Sequence, residues 1–259
     1  MINSFKKGYQ PGVPLLPKTR LKADSRISLF CFPYAGGTTS TYSNWDSVLP
    51  PAIEACPVEL PGRAGRRSES PATSIIALVE SLTPALLPYL DKPFAFFGHS
   101  MGALISFEVA RELRRSHELA PEHMFVSACR APHGSRSRQK VIYDLPEPEF
   151  IEELHSLNGT PREVLEHSEL MQLIMPLLRA DFQACQTYDY VHEPPLDCAL
   201  TVFGGLQDTE LTRSELEDWC GQTTSSCTVR MLPGDHFFIN TAQSPILRMV
   251  VDQLSAWTR

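Results

Sequence analysis

The stretch Pro93-Phe94-Ala95-Phe96-Phe97-Gly98-His99-Ser100-Met101-Gly102 constrains the fold more than any other part of the chain. A short apolar run meets, without a linker, a segment of helix formers from Met101 to Arg115 in which Leu104, Phe107 and Leu113 fall near one face. A buried strand that feeds directly into a helix is the βα unit of a parallel sheet. Between the two stands Gly-x-Ser-x-Gly, centred on Ser100. In a sharp strand-to-helix turn, side chains at the two glycine positions would collide, and the serine hydroxyl is held exposed. The N-terminus of the following helix points its free N–H groups at the same place, which favours a developing oxyanion. The same five residues also fit an ordinary tight turn, so the rest of the chain has to supply partners for Ser100.

The remaining segments repeat the alternation. Ile27–Phe32 is an apolar run ending in Pro33 and a glycine pair, and reads as a buried strand followed by a tight loop. The segment AIEACPVELPGRAGR holds a second strand candidate, broken by Pro57 and closed by Pro61-Gly62. From Pro71 to Leu90 apolar residues recur at helical spacing (Ile75, Leu78, Val79, Leu82, Leu86), with Pro84 as a kink. His123–Cys129, Ala199–Gly205 and Cys227–Gly234 are further strands, and a last helix covers Ser244–Trp257. The expected class is therefore α/β, a mostly parallel sheet covered by helices on both faces, formed by residues 1–259 as one domain.

One block breaks the pattern. Residues 133–191 carry no convincing strand but two helical stretches, EPEFIEELHSL and SELMQLIMPLLRADFQACQTY. That exceeds a normal crossover and reads as a helical lid inserted over the sheet edge, or alternatively as a large crossover buried as core. Residues 1–24, rich in Pro and Lys, read as a loosely held N-terminal arm.

Composition excludes several classes. The net charge of −7 argues against nucleic acid as a partner. No apolar run approaches the length of a membrane span, and the N-terminus lacks a signal-peptide core, so a cytoplasmic location is expected. The seven cysteines are odd in number and include no Cys-x-x-Cys, which speaks against a disulfide framework or a zinc site; Cys31, Cys56 and Cys129 read as core residues. No metal or cofactor is expected.

A serine is a weak nucleophile until a base takes its proton. On a parallel α/β sheet with this turn, the chain order is serine, acid, histidine. His155, His167 and His192 lie in helical or polar surroundings and read as surface groups. His236 lies in LPGDHFFI, a loop just after a late strand, where an imidazole can swing over the turn. Asp208, directly after a strand and the pair Gly204-Gly205, is the candidate acid, with Glu210 as runner-up; the neighbouring Asp235 is disfavoured because adjacent side chains diverge. The oxyanion donors are expected to be the backbone N–H of Met101, next to the nucleophile, and that of Ala35 in the FPYAGG loop, where Pro33 cannot donate.

Taken in order, these motifs resemble the type II thioesterases, stand-alone α/β-hydrolases that serve nonribosomal peptide and polyketide synthases. The resemblance spans Ile27 to Trp257 and rests on Phe32-Pro33-Tyr34-Ala35-Gly36-Gly37, Pro61-Gly62-Arg63 with Arg66, Gly98-His99-Ser100-Met101-Gly102, Leu178-Arg179-Ala180-Asp181-Phe182, Gly204-Gly205 with Asp208, and Gly234-Asp235-His236-Phe237-Phe238. It implies Ser100, Asp208 and His236 as a triad, and the helical block as a mobile lid. It also implies the substrate: an acyl group held as a thioester on the phosphopantetheine arm of an acyl or peptidyl carrier protein, removed when misloaded or stalled, or released as product. The residues alone fit a small-molecule carboxylesterase or lipase as well, and a non-catalytic hydrolase scaffold less well. Two basic clusters, Arg63 with Arg66 and Arg67, and Arg130 with Arg136, Arg138 and Lys140, are candidates for carrier docking. The Leu170–Leu178 stripe is a candidate lining of the acyl path.

Overall fold

The computed structural model describes residues 15–16, 22, 24–134, 140–160 and 162–258. Six strands form one sheet in the order β2-β1-β3-β4-β5-β6. They are β1 (Ile27–Phe32), β2 (Ile53–Pro57), β3 (Phe94–His99), β4 (His123–Ser127), β5 (Ala199–Gly205) and β6 (Cys227–Leu232). All five pairings are parallel. The central strands β1, β3 and β4 are buried at every residue, so both sheet faces are covered, as their unbroken apolar runs require. Only β6, at an edge, is largely half-exposed.

The helices are α1 (Trp45–Val48), α2 (Ile75–Leu86), α3 (Met101–His117), α4 (Glu147–Leu157), α5 (Arg162–Leu165), α6 (Ser168–Gln186), α7 (Arg213–Glu217) and α8 (Gln243–Gln253). Pro84 falls in the last turn of α2, which continues as a 3₁₀ turn, Leu87–Tyr89, instead of the single kinked helix expected to Leu90. The last helix likewise ends at Gln253 and gives way to a 3₁₀ turn at Ser255–Trp257.

The strand order reverses at β1. The chain goes from β1 to β2 on one side and then to β3 on the other. The C-terminal ends of β1 and β3 therefore diverge into loops on opposite sides of a crevice, where an open α/β sheet binds its ligand. Those ends carry Pro33–Gly37 and Ser100.

Between β4 and β5 lie α4, α5 and α6. They build a small core of their own from Ile142, Phe150, Leu154, Leu165, Met171, Met175 and Leu178, separate from the core around the sheet. The C-terminal part of α6 belongs to the main body: Ala184, and Tyr188 just beyond the helix, are buried in the sheet core. The block is thus neither a plain buried crossover nor a free insertion.

Three expectations are corrected. Within the segment expected as a loose arm, of which residues 1–14, 17–21 and 23 lie outside the described residues, Leu15 and Leu16 are buried in the sheet core, and Leu15 accepts a backbone hydrogen bond from Glu59 N (2.9 Å). A disulfide joins Cys220 to Cys227, a pair at the β6 edge that the cysteine spacing did not suggest. Arg63 and Arg66 are buried rather than forming a basic surface with Arg67. Of the second basic cluster, Arg136 and Arg138 lie outside the described residues; Arg130 pairs with Glu215 and Lys140 with Glu153. Among the described residues no helix is long and apolar enough to cross a membrane, and no cluster of ligating side chains suits a metal ion.

Candidate active site

Ser100 sits on the turn between β3 and α3 with φ 53° and ψ −116°, a backbone conformation that costs a side-chain-bearing residue energy. The turn persists because its surroundings over-determine it. Ser100 N donates to Ser127 O at the end of β4 (2.8 Å). A Cβ on Gly98 would lie 2.3 Å from Gly102 O, and one on Gly102 only 2.0 Å from Phe32 O. Both glycines are therefore obligatory, because β1, β3 and the first turn of α3 meet there without room for a methyl group.

The loop after β6 brings His236 over the serine. Its Nε2 is 3.1 Å from Ser100 Oγ, and its Nδ1 is 2.9 Å from Asp208 Oδ2. The Asp208 side chain is 1% exposed, and its other oxygen, Oδ1, accepts the Glu210 N–H (2.8 Å). A carboxylate so placed fixes the imidazole with Nδ1 protonated and Nε2 free to accept from the serine. Glu210 is exposed and contributes its backbone, not its carboxylate, to this network. Asp235 turns away: it accepts from Phe237 N (2.9 Å) and from Asn158 Nδ2 (3.0 Å). His155, His167 and His192 are exposed.

A histidine that the sequence reading passed over supports the arrangement. His99 is fully buried, with Nδ1 2.9 Å from Ser127 Oγ and Nε2 3.0 Å from the carbonyl oxygen of His236. Burial, reinforced by the nearby His236, holds its ring well below the usual histidine range, so it is neutral. Its position inside the pentapeptide was the available signal, but no periodicity shows which way that ring points.

A cavity of about 150 Å³ opens at Ser100 and His236. Its walls come from Tyr34 and Ala35 after β1, Met101 and Leu104 of α3, Ala128 and Cys129 after β4, and Leu154, Leu157, Leu178 and Phe182 of the helical block. The lining is mainly apolar; besides Ser100 and His236, Arg130, Thr160 and Glu210 border it. Met101 is the first residue of α3, so its N–H has no intrahelical acceptor. Ala35 borders the same cavity from the other side of the crevice. Of the Leu170–Leu178 stripe only Leu178 reaches the cavity. Met171 and Met175 fill the separate helical core, and Leu170 and Leu173 face solvent.

Comparison with known proteins bears on the family and the fold. A family model described as a thioesterase domain matches residues 27–256. Linear gramicidin dehydrogenase LgrE of Brevibacillus parabrevis is 44% identical over 92% of this chain and 91% of its own. Among solved structures, RedJ, a thioesterase from the prodiginine biosynthetic pathway in Streptomyces coelicolor, superposes with a TM-score of 0.83 at 37% identity, covering 89% of this chain and 87% of that one. YbtT, the type II thioesterase from the yersiniabactin NRPS/PKS biosynthetic pathway, gives 0.81 at 31% identity over 95% and 99%. With its parallel sheet, its serine turn and a family match over nearly its whole length, the chain belongs to the thioesterase family.

Proposed function

We propose that the protein hydrolyses acyl thioesters carried on the phosphopantetheine arm of a carrier protein in nonribosomal peptide or polyketide biosynthesis, freeing the carrier thiol. The observation that carries this reading is the continuous Ser100–His236–Asp208 hydrogen-bonded chain at the mouth of an apolar cavity. YbtT, a relative from an NRPS/PKS biosynthetic pathway, supports the substrate class.

In the first half-reaction His236 Nε2 takes the Ser100 proton as Oγ attacks the thioester carbonyl carbon. Asp208 stabilises the imidazolium. The oxyanion is held by the N–H groups of Met101 and Ala35. The C–S bond breaks, and the imidazolium proton accompanies the departing thiol, leaving an acyl-Ser100 ester. In the second half-reaction His236 deprotonates a water, which attacks the ester; the carboxylic acid departs and Ser100 recovers its proton. A thiol, with a pKa near 8.5, leaves far more readily than an amine, so the site needs less from its general acid than a protease does. The α4–α6 block acts as the lid beneath which the acyl group enters. Synthase carriers operate inside the cell, and we place the enzyme in the cytoplasm with them.

The dehydrogenase in one relative's name finds no support at the crevice. A dinucleotide site runs its first strand through a glycine-rich turn into a helix that receives the pyrophosphate. Here the loop after β1 carries Gly36-Gly37 but begins at Pro33 and leads into a 3₁₀ turn at Thr39–Tyr42 instead of directly into an α-helix. The test is direct: an acyl-carrier thioester and a matched oxygen ester are offered to the purified protein. Carrier-dependent hydrolysis of the thioester is expected. Preference for the free ester without carrier dependence would establish a carboxylesterase instead.

A further inference from the structure

The loop that carries Ala35 is not held by the sheet alone. A carboxylate from the helical block reaches it. Asp181 of α6 accepts the Gly36 N–H on Oδ2 (2.7 Å) and pairs through Oδ1 with Arg63 Nη2 (2.7 Å). Arg63 in turn donates through Nη1 to Gly37 O (3.0 Å). Asp181 is fully buried and Arg63 nearly so. The turn itself is closed by Gly37 N donating to Tyr34 O (2.8 Å), with Gly36 at φ 76°, the position of such a turn that glycine suits. A Cβ on Gly36 would lie 2.5 Å from Leu178 Cδ2, so α6 is pressed against the turn on two successive helical levels.

A buried ion pair is an expensive way to gain stability, because apolar residues of similar volume serve as well or better. This one grips both the N–H of Gly36 and the carbonyl of Gly37, immediately after Ala35. Burial pushes the Asp181 carboxyl up while Arg63 pulls it down, so the carboxylate depends on its partner. Asp181 lies where α6 passes from one core to the other: Ala184, one turn on, is buried in the sheet core, whereas Leu178, one turn back, belongs with Met171 and Met175 to the helical core.

We propose that Asp181 and Arg63 are positioning residues of the oxyanion hole, clamping the Tyr34–Gly37 turn so that the Ala35 N–H faces the acyl oxygen on Ser100. The inference rests on the proposed Ser100 chemistry and adds the device that sets one of its donors. An oxyanion donor binds the tetrahedral state more strongly than the ground state, so loosening the turn should act selectively on that state.

The decisive variant is Arg63→Leu/Asp181→Leu, which removes the grip without leaving a buried charge unpaired. Two ligands are compared: an alkyl boronic acid, whose boron takes the place of the acyl carbon and forms a tetrahedral adduct with Ser100, and a non-hydrolysable thioether analogue of the acyl-pantetheine substrate. With melting temperature close to wild type, kcat should fall by about 10²-fold, the order seen for loss of an oxyanion donor. Boronate affinity should fall by a similar factor, and thioether affinity should stay within about threefold. Asp181→Asn keeps an oxygen for the Gly36 N–H but not the charge, and should show the same signature at about tenfold; it decides the matter should the double variant not fold. A folded variant with wild-type kcat and boronate affinity overturns the inference, as does an equal loss of boronate and thioether binding. Failure of the wild-type protein itself to hydrolyse thioesters or bind the boronate would instead overturn the proposed function.

Discussion

The ring of His99 holds the backbone of His236: its Nε2 lies 3.0 Å from the His236 carbonyl oxygen. A carbonyl can only accept, so His99 donates from Nε2 and its Nδ1 accepts the Ser127 hydroxyl proton. This fixes the main chain from which the imidazole of His236 reaches Ser100. The substitution His99→Leu removes the donor at similar bulk. Small displacements of catalytic groups cost on the order of 10²-fold in rate. We expect kcat/KM for an acyl-carrier thioester to fall by about that factor in a protein that still melts cooperatively. A wild-type rate would show that His236 is placed without this bond.

The Asp208 carboxylate is nearly inaccessible and meets His236 Nδ1 directly, whereas Glu210 is exposed and offers only its N–H. Asp208→Asn is therefore expected to lower kcat by about 10⁴-fold through the wrong histidine tautomer. Glu210→Gln should remain within about twofold of wild type, the usual range for an exposed polar change. Steady-state hydrolysis by the two variants, with Ser100→Ala as the inactive reference, separates the assignments. Reversal of the two effects would move the acid role to Glu210.

Much of this was legible in the sequence, for a physical reason. Strands buried on both faces must be apolar throughout, and so Ile27–Phe32, Phe94–His99 and Ala199–Gly205 announced a covered parallel sheet. The serine turn announced itself because Gly98 and Gly102 admit no side chain. Loops after late strands then left His236 and Asp208 as the natural partners for Ser100. What stayed hidden was long-range and polar. Arg63 is charged, yet it is buried against Asp181, 118 residues away, a partner that linear spacing cannot reveal; Arg66 pairs with Glu69 only three residues on, but nothing in that spacing says that the arginine is buried. His99 looked like filler between a glycine and a serine. The methionines of α6 show the reverse error, since an apolar stripe says that a helix face is buried but not against what.

The helical block meets the histidine loop at the end of α4. Asn158, which ends α4 in a left-handed conformation (φ 57°), donates to Asp235, and Gly159 lies against the Phe237 ring, where a Cβ would come within 2.3 Å of Cζ. Phe237 packs edge-on against His236, with ring centroids 5.1 Å apart. Gly159→Ala must displace one of these groups, and the cheapest movement carries the Phe237 ring towards the imidazole. A fall in kcat of roughly tenfold or more is expected, with global stability little changed because the site lies at the rim of the cavity. Structure determination of the variant would show the ring displaced. An unmoved ring and an unchanged rate would mean that the α4 end gives way instead.

The Cys220–Cys227 bond lies at the β6 edge, and both residues are half-exposed. Neither lines the cavity. Disulfides are uncommon in a reducing cytoplasm. The proposed location therefore predicts that reduction is tolerated. Thiol titration of denatured protein should count five groups when oxidised, namely Cys31, Cys56, Cys129, Cys185 and Cys198, and seven after reductant. Activity should be equal in the two states. A marked loss on reduction would mean that the bond supports the β6 register, on which the His236 loop depends.

Stability should depend on pH through His123. This histidine is buried on β4, stacks on Phe125 at 4.4 Å and shares a hydrogen bond with Thr201 Oγ1 (2.9 Å). Burial lowers its pKa from 6.5 to about 4. A depressed histidine has more affinity for a proton when unfolded than when folded. Above pH 6.5 neither state is protonated and nothing is lost. Between pH 6.5 and about 4 the unfolded chain takes up a proton that the native state refuses, and stability falls as pH falls. The span corresponds to about 3 kcal/mol in all, of which roughly 2 kcal/mol is lost by pH 5. Urea unfolding at pH 7 and pH 5 measures it, with His123→Gln as the comparison: glutamine keeps a polar partner for Thr201 but does not titrate. The drop between the two pH values should be about 2 kcal/mol larger in wild type than in the variant, since the carboxylates and His99 contribute equally to both. Equal drops would mean that the native sheet accommodates the imidazolium at Thr201.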